Sequence, residues 1–303
     1  CHLSLCRAAK PLEKHIRLQP LDRFVKPGVA DRSSPAEYFA GHRGAGTGVN
    51  DVLLVDVDAD PNDVATTRIG ESVGEHARAE FESGSLHSYG GADLGLVSGS
   101  YGAASLSFGS HWTIDGTLRV GRYGTGELAV RYGGDLNTEN TVLAAFQNSP
   151  SDMSLASAIV TGSGSEWTNS GDLTIAAAGS ADLFIVDGGV VNTATATISG
   201  GQGYTGSALI VGLGSQWNVT DDLHVGTPGG AGFPSVTGSI DVGPGGTLTV
   251  GDTLTVDQAG YLTLTHGFAS VGTGPLPTEI TTLAVHSDGT LAGSGTVVAH
   301  VES

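Results

Sequence analysis

VTGSGSEWTNSGDLTIAAAGSADLFIVDGG, residues 160–189, decides the fold. Its opening phrase occurs three times, as Gly109-Ser110-His111-Trp112, Gly164-Ser165-Glu166-Trp167 and Gly214-Ser215-Gln216-Trp217, and uses all three tryptophans of the chain. Leu follows each Trp at six residues and a β-branched residue at eight: Leu118 and Val120, Leu173 and Ile175, Leu223 and Val225. A Gly-Gly pair closes the first two copies, Gly133-Gly134 and Gly188-Gly189. Fixed offsets repeated at this period predict a repeat architecture.

Outward from that stretch, residues 66–303 read as short strands of the form x-Leu-x-Val separated by Gly, Asp, Asn or Ser. Apolar residues two apart mark a half-exposed strand. No stretch after residue 66 sustains the 3.6-residue helical period. Short strands, frequent glycine and a repeating apolar column favour an all-β, single-stranded parallel β-helix (β-solenoid) over a sandwich or a propeller. At roughly 20 residues per coil the expectation is about 12 coils, a rod near 60 Å long. Residues 227–234 read as an insert that leaves the stack at a turn.

Composition agrees. Gly is 48 of 303 residues against 11 Pro, which suits tight turns and excludes a collagen-like chain. Aromatics are 6%, so the core must be built mainly from aliphatic side chains. Net charge is −18 and uneven: there is no Lys after Lys26 and no Arg after Arg131. Such a surface disfavours nucleic acid and anionic lipid, which need clustered Lys and Arg. Cys1 and Cys6 are the only cysteines, so a disulfide framework and a Cys-based metal site are not expected. No apolar run is long enough to span a membrane.

Residues 1–50 differ from the rest, holding all the lysines, and read as an N-terminal leader or linker with one short helix over 12–25, interrupted by Pro20. Residues 51–303 read as the repeat domain, beginning with a strand over 51–58. Asp56, Asp58 and Asp60 then invite comparison with a Ca²⁺ loop. Pro61 and Thr67 stand where an EF-hand needs Gly and Glu, so a solvated turn is the first reading and a looser Ca²⁺ site the second.

The Gly-Ser-x-Trp phrase, the following Leu-x-Val strand, the Gly-Gly turn and the closing Gly289-Thr-Leu-Ala-Gly-Ser-Gly-Thr-Val297 together resemble autotransporter-associated repeats. Such repeats occur in passenger domains of type V secretion proteins and in PEP-CTERM surface proteins. The resemblance covers about residues 66–300. It implies a right-handed β-helix of the pectate-lyase-like class, exported to the cell surface or the extracellular space. Neither a membrane barrel nor a Pro-Glu-Pro sorting tail occurs before Ser303, so the expectation is a fragment or a different export route.

Fold does not give function here, because β-helices serve both as enzymes and as inert rods. Asp221-Asp222 with His266 faintly resembles the acid and base set of a polysaccharide hydrolase. Equivalent turn positions in the other repeats are Gly116-Thr117 and Gly171-Asp172, which favours a turn role. A lyase needs a basic residue, and the repeat region past Arg78 offers only Arg119, Arg122 and Arg131. With Tyr123 and Tyr132 these three form a candidate sugar or anion face. The leading expectation is a non-catalytic structural or adhesin-type protein with no cofactor, meeting surface glycans or proteins of host or neighbouring cells. A carbohydrate-active enzyme and an end-to-end stacking filament subunit are the alternatives.

Overall fold

The computed structural model describes residues 66–146, 154–199, 204–227, 237–271, 282–286 and 289–299, and the backbone of 16–17, 36–40, 50–56, 62–65 and 300–302. Every strand pair in these segments is parallel, as in strands Thr125–Arg131 and Ser154–Thr161 or Glu166–Ile175 and Val190–Ile198. No described residue is helical. The chain winds as a β-solenoid: one sheet of 11 strands and a second of 16 run the length of the stack.

Each coil has three sides. The 11-stranded sheet is the first side, with strands such as Tyr101–Leu106, Thr125–Arg131 and Gly179–Val186. The second sheet bends within each coil into two legs, the second and third sides. In His111–Val120, Asp135–Leu143 and Glu166–Ile175 the bend is a register break inside one strand, between Thr138 and Thr141 for example. Further along it separates the legs completely, as in Gln216–Val219 and Leu223–Val225. Apolar side chains alternate inward on the legs of the central coils: Trp112, Ile114, Leu118 and Val120 are buried on one strand, Leu183 and Ile185 on another.

The third side corrects the expected coil size. Tyr101 pairs in register with Thr125, and Leu155 with Ser180, steps of 24 and 25 residues. First-side strands recur nine times from His76–Ser83 to Thr290–Gly293, which makes about eight turns instead of 12. The corresponding length is about 40 Å. The 50- to 55-residue repeat of the sequence is therefore two coils. Leu86, Trp112, Leu136, Trp167, Val191, Trp217 and Leu248 form one inward column in register, so a tryptophan stands on every second rung. Parallel strands lie about 4.8 Å apart, too close for an unbroken column of indoles, and the aliphatic rungs give each ring its space.

All three tryptophans are fully buried. Each donates its indole N–H to a hydroxyl on the preceding coil: Trp112 to Ser88 at 3.0 Å, Trp167 to Thr138 at 3.1 Å, Trp217 to Thr193 at 3.3 Å. Each ring therefore sits inside a second-side strand, one residue past the corner. At the corner before each Trp, the motif serine ties the turn. Ser165 accepts the N–H of Gly133 and Ser215 that of Gly188, each at 3.0 Å, so the Gly-Ser and Gly-Gly phrases are adjacent rungs of one corner. A Cβ on Gly134 or Gly189 would fall 2.7 or 2.3 Å from a carbonyl oxygen of the coil before.

Glycine also has a role that the turn reading did not anticipate. Ala77, Gly102, Gly126, Ala156, Ala181, Gly206, Gly238 and Gly260 make one inward first-side column in register. At Gly102 an added Cβ would lie 2.0 Å from Ile69 O of the coil before, and at Gly126 2.1 Å from Gly121 N of the corner before the strand.

Of residues 1–50, those described lie in strands: Ile16–Arg17, Ala36–Ala40 and the first residue of Asn50–Asp56. A strand therefore stands at Ile16 and Arg17, where the spacing predicted a helix. Pairing onto Asn50–Asp56 outweighs a short helical pattern that Pro20 already weakens. The rest of 12–25 lies outside the described residues.

Candidate functional site

The three corners of the solenoid carry the side chains from which a site can be built. Asp221 and Asp222 occupy the corner between second and third sides. Asp221 N–H donates to Ala194 O at 2.9 Å, and its own carbonyl accepts from Asp252 N–H at 3.1 Å. The Asp222 carboxylate accepts the N–H of Thr253 at 3.1 Å, and Asp222 O accepts from Ala196 N–H at 3.0 Å. Both residues thus tie their corner to the coils on either side. His266 is exposed, two coils further on, at the corner between first and second sides, with φ 56°. The fold does not bring these three side chains together.

Asp58 and Asp60 lie outside the described residues, and of Asp56 only the backbone is described. Among the described residues no group of three or more His, Cys, Asp or Glu side chains could hold a metal ion. Among them, too, no helix is long and apolar enough to cross a membrane.

The arginines divide into two groups. Arg119 points outward between buried Leu118 and Val120, and pairs in register with Asp93. Asp93 is a buried carboxylate, its side chain 4% exposed, whose two oxygens meet Arg119 at 3.5 Å and Arg122 at 2.9 Å. Arg122 also lies 5.8 Å from the Tyr123 ring and 5.9 Å from Phe146, and those two rings stack at 5.3 Å. The candidate anion face on this side is therefore already filled by a carboxylate of the chain itself.

Arg131 is different. No carboxylate of the described residues pairs with it, while its Nε, like that of Arg122, is buried without a hydrogen-bond partner. Its guanidinium carbon lies 5.9 Å from the centre of the Tyr132 ring. Tyr132 in turn stacks on Phe108 of the coil before, with centroids 5.5 Å apart and planes 11° from parallel. Both rings stand in water, Phe108 67% and Tyr132 63% exposed.

These aromatics sit where the backbone disfavours them. At the first corner Phe108, Tyr132, Gly162, Asp187, Gly212 and His266 all take left-handed backbone, at φ between 51° and 99°, and the first five are each followed within two residues by a second positive-φ residue, a glycine such as Gly109, Gly133 or Gly188. Glycine enters that region freely and Asp at modest cost, whereas a bulky side chain there costs on the order of 1–3 kcal/mol. Two such costs are set against one ring stack of about 0.5–1.5 kcal/mol. Stability alone does not account for the pair. Tyr132 was a sequence candidate but Phe108 was not. The available signal was an aromatic directly before each turn phrase, Phe108-Gly109-Ser110 and Tyr132-Gly133-Gly134.

On the first side of the same two coils Tyr101 donates its hydroxyl to Glu127 at 2.5 Å. Burial and then that carboxylate hold its proton, pushing the phenol up to about 12.

No protein-family profile matches this chain, and no curated protein does. Among solved structures it is similar to one described as the crystal structure of a TibC-catalyzed hyper-glycosylated TibA fragment, residues 55–350. Identity is 17%, over 88% of this chain and 100% of that one, with a TM-score of 0.20, at which no residue correspondence follows.

Proposed function

We propose that this chain is a non-catalytic structural rod of the adhesin type, displayed on a bacterial surface or released from it. The observation that carries this reading is the disposition of the polar groups. The Asp222 carboxylate is held by a corner N–H, Asp221 is tied in through its backbone, His266 stands on another corner two coils away, and Asp93 is taken by two arginines. What the fold presents instead is a regular three-sided stack with polar outer columns. Asn192 and Asn218, for instance, bond to each other at 2.9 Å on adjacent rungs of the second side. The resemblance of the Gly-Ser-x-Trp phrase to autotransporter-associated repeats supports export, as does the lack of thiols after Cys6.

Partners on this reading are surface glycans or proteins of host or neighbouring cells, and no cofactor takes part. Beads coated with the purified protein are expected to retain cells or immobilised glycans. No new reducing ends or unsaturated sugars are expected from acidic or neutral polysaccharides. Turnover that disappears in Asp222→Asn would establish the enzyme reading in its place. A ladder of oligomers or filaments at rising concentration would favour the stacking subunit.

A further inference from the structure

We propose that the first-side corner formed by Phe108, Tyr132 and Arg131 is a binding site for a carboxylate-bearing saccharide. The proposal deepens the adhesin reading and rests on it. Four observations converge. The two rings are parallel, stacked and more than half exposed, on a corner held by backbone bonds such as Phe108 N–H to Tyr132 O at 3.0 Å. Rings fixed in this way offer an apolar surface to the C–H groups of a pyranose with little ordering cost. The guanidinium beside them has no acidic partner among the described residues, although acidic residues far outnumber basic ones in the chain. A planar guanidinium without a partner is suited to a ligand carboxylate. Both aromatics occupy left-handed positions that three other coils fill with Gly162, Asp187 and Gly212 and one with His266, so they stand against the local backbone preference.

The fourth observation is the space beside the stack. Tyr132 is followed on the next rung by Gly162, so no side chain continues the column, and a Cβ placed there would come only within 3.5 Å of Tyr132 N. The rung beside Arg131 carries Thr161, partly exposed and in register with it, which adds a hydroxyl to the edge of the same surface. Rings, a cation and a hydroxyl on one rigid corner match an acidic sugar better than an acidic peptide, which has no flat C–H face to lay on the rings.

The test uses the full chain with three probes: tetragalacturonate, the neutral galactose tetramer and tetraglutamate. Binding is followed by saturation-transfer NMR and calorimetry, and melting temperature is recorded in parallel. The acidic sugar should bind about tenfold or more tighter than either other probe, and Arg131→Met should remove that advantage. Its affinity should fall as salt rises. Tyr132→Asn, which suits the left-handed backbone, should lose binding while the melting temperature stays level or rises. A purely structural ring would show the reverse, and that result overturns the proposal. Equal binding of the neutral sugar or of tetraglutamate, or no binding by the wild-type chain, overturns it too. Cell retention by coated beads that survives Tyr132→Asn would reject this site and leave the adhesin reading standing.

Discussion

Replacing Trp167 by Ala tests the two-coil ladder most directly. The ring is fully buried, with Leu136 on one neighbouring rung and Val191 on the other. Neither aliphatic chain can fill the space an indole leaves, so the loss should approach that of an uncollapsed cavity, about 3–5 kcal/mol. Part of the loss is polar. Thr138 Oγ1 accepts the indole N–H at 3.1 Å, and it also donates to Asn169 Oδ1 at 2.9 Å and accepts from Thr141 at 3.2 Å. Trp167→Phe keeps most of the ring and gives up that bond, so it should cost about 1–2 kcal/mol. Thr138→Val should cost about 1–3 kcal/mol, because it leaves the buried N–H unpaired. Combined with Trp167→Phe it should cost less than the sum of the two, since both remove one bond. Equilibrium unfolding in urea, followed by far-ultraviolet circular dichroism, gives each value. A cost below about 0.5 kcal/mol for Trp167→Ala would refute the inward ladder, because a buried ring of that size cannot be lost so cheaply.

Val191→Trp puts an indole between Trp167 and Trp217, and overpacking should lower stability by about 1–3 kcal/mol on the same assay. Gly74 and Gly95 both have positive φ, but an added Cβ meets nothing at Gly74 and lies 2.3 Å from Thr125 O at Gly95. Gly74→Ala should therefore cost about 1 kcal/mol and Gly95→Ala at least about twice that, measured by urea midpoints. Asp93→Asn leaves Arg119 and Arg122 without their carboxylate and should cost about 1–3 kcal/mol, reduced because both guanidinia are partly in water. Tyr101, raised from 10.0 to about 12, should be among the last phenols to ionise in an ultraviolet titration. Its proton is held more tightly in the folded chain, so its contribution is fully present below pH 10 and is lost as the pH rises from 10 towards 12; Glu127→Gln should lower that titration.

Much of the fold is legible in the residues themselves. Leu118 and Val120, or Leu173 and Ile175, alternate with polar neighbours because one face of each strand is buried, and a period of two survives any arrangement of coils. The Gly-Ser and Gly-Gly phrases mark one corner because close backbone approach and positive φ leave few other choices there. The candidate site was half visible: Arg131 and Tyr132 stand next to each other in the chain, whereas Phe108 reaches them only across a coil.

Tertiary structure decided the rest. The coil length follows from the bend that makes a third side, and nothing local distinguishes that bend from another turn. The two-coil period follows from the size of an indole against the spacing of parallel strands, a constraint that exists only once rungs are stacked. Asp93 became the partner of Arg119 and Arg122, separated from it by 26 and 29 residues, because register places it opposite Arg119 on the next rung, and Arg131 has no carboxylate partner among the described residues. Sequence sets which residues face inward; the stack sets which residues meet, since coil-to-coil contacts join residues about 25 positions apart that no local pattern can pair.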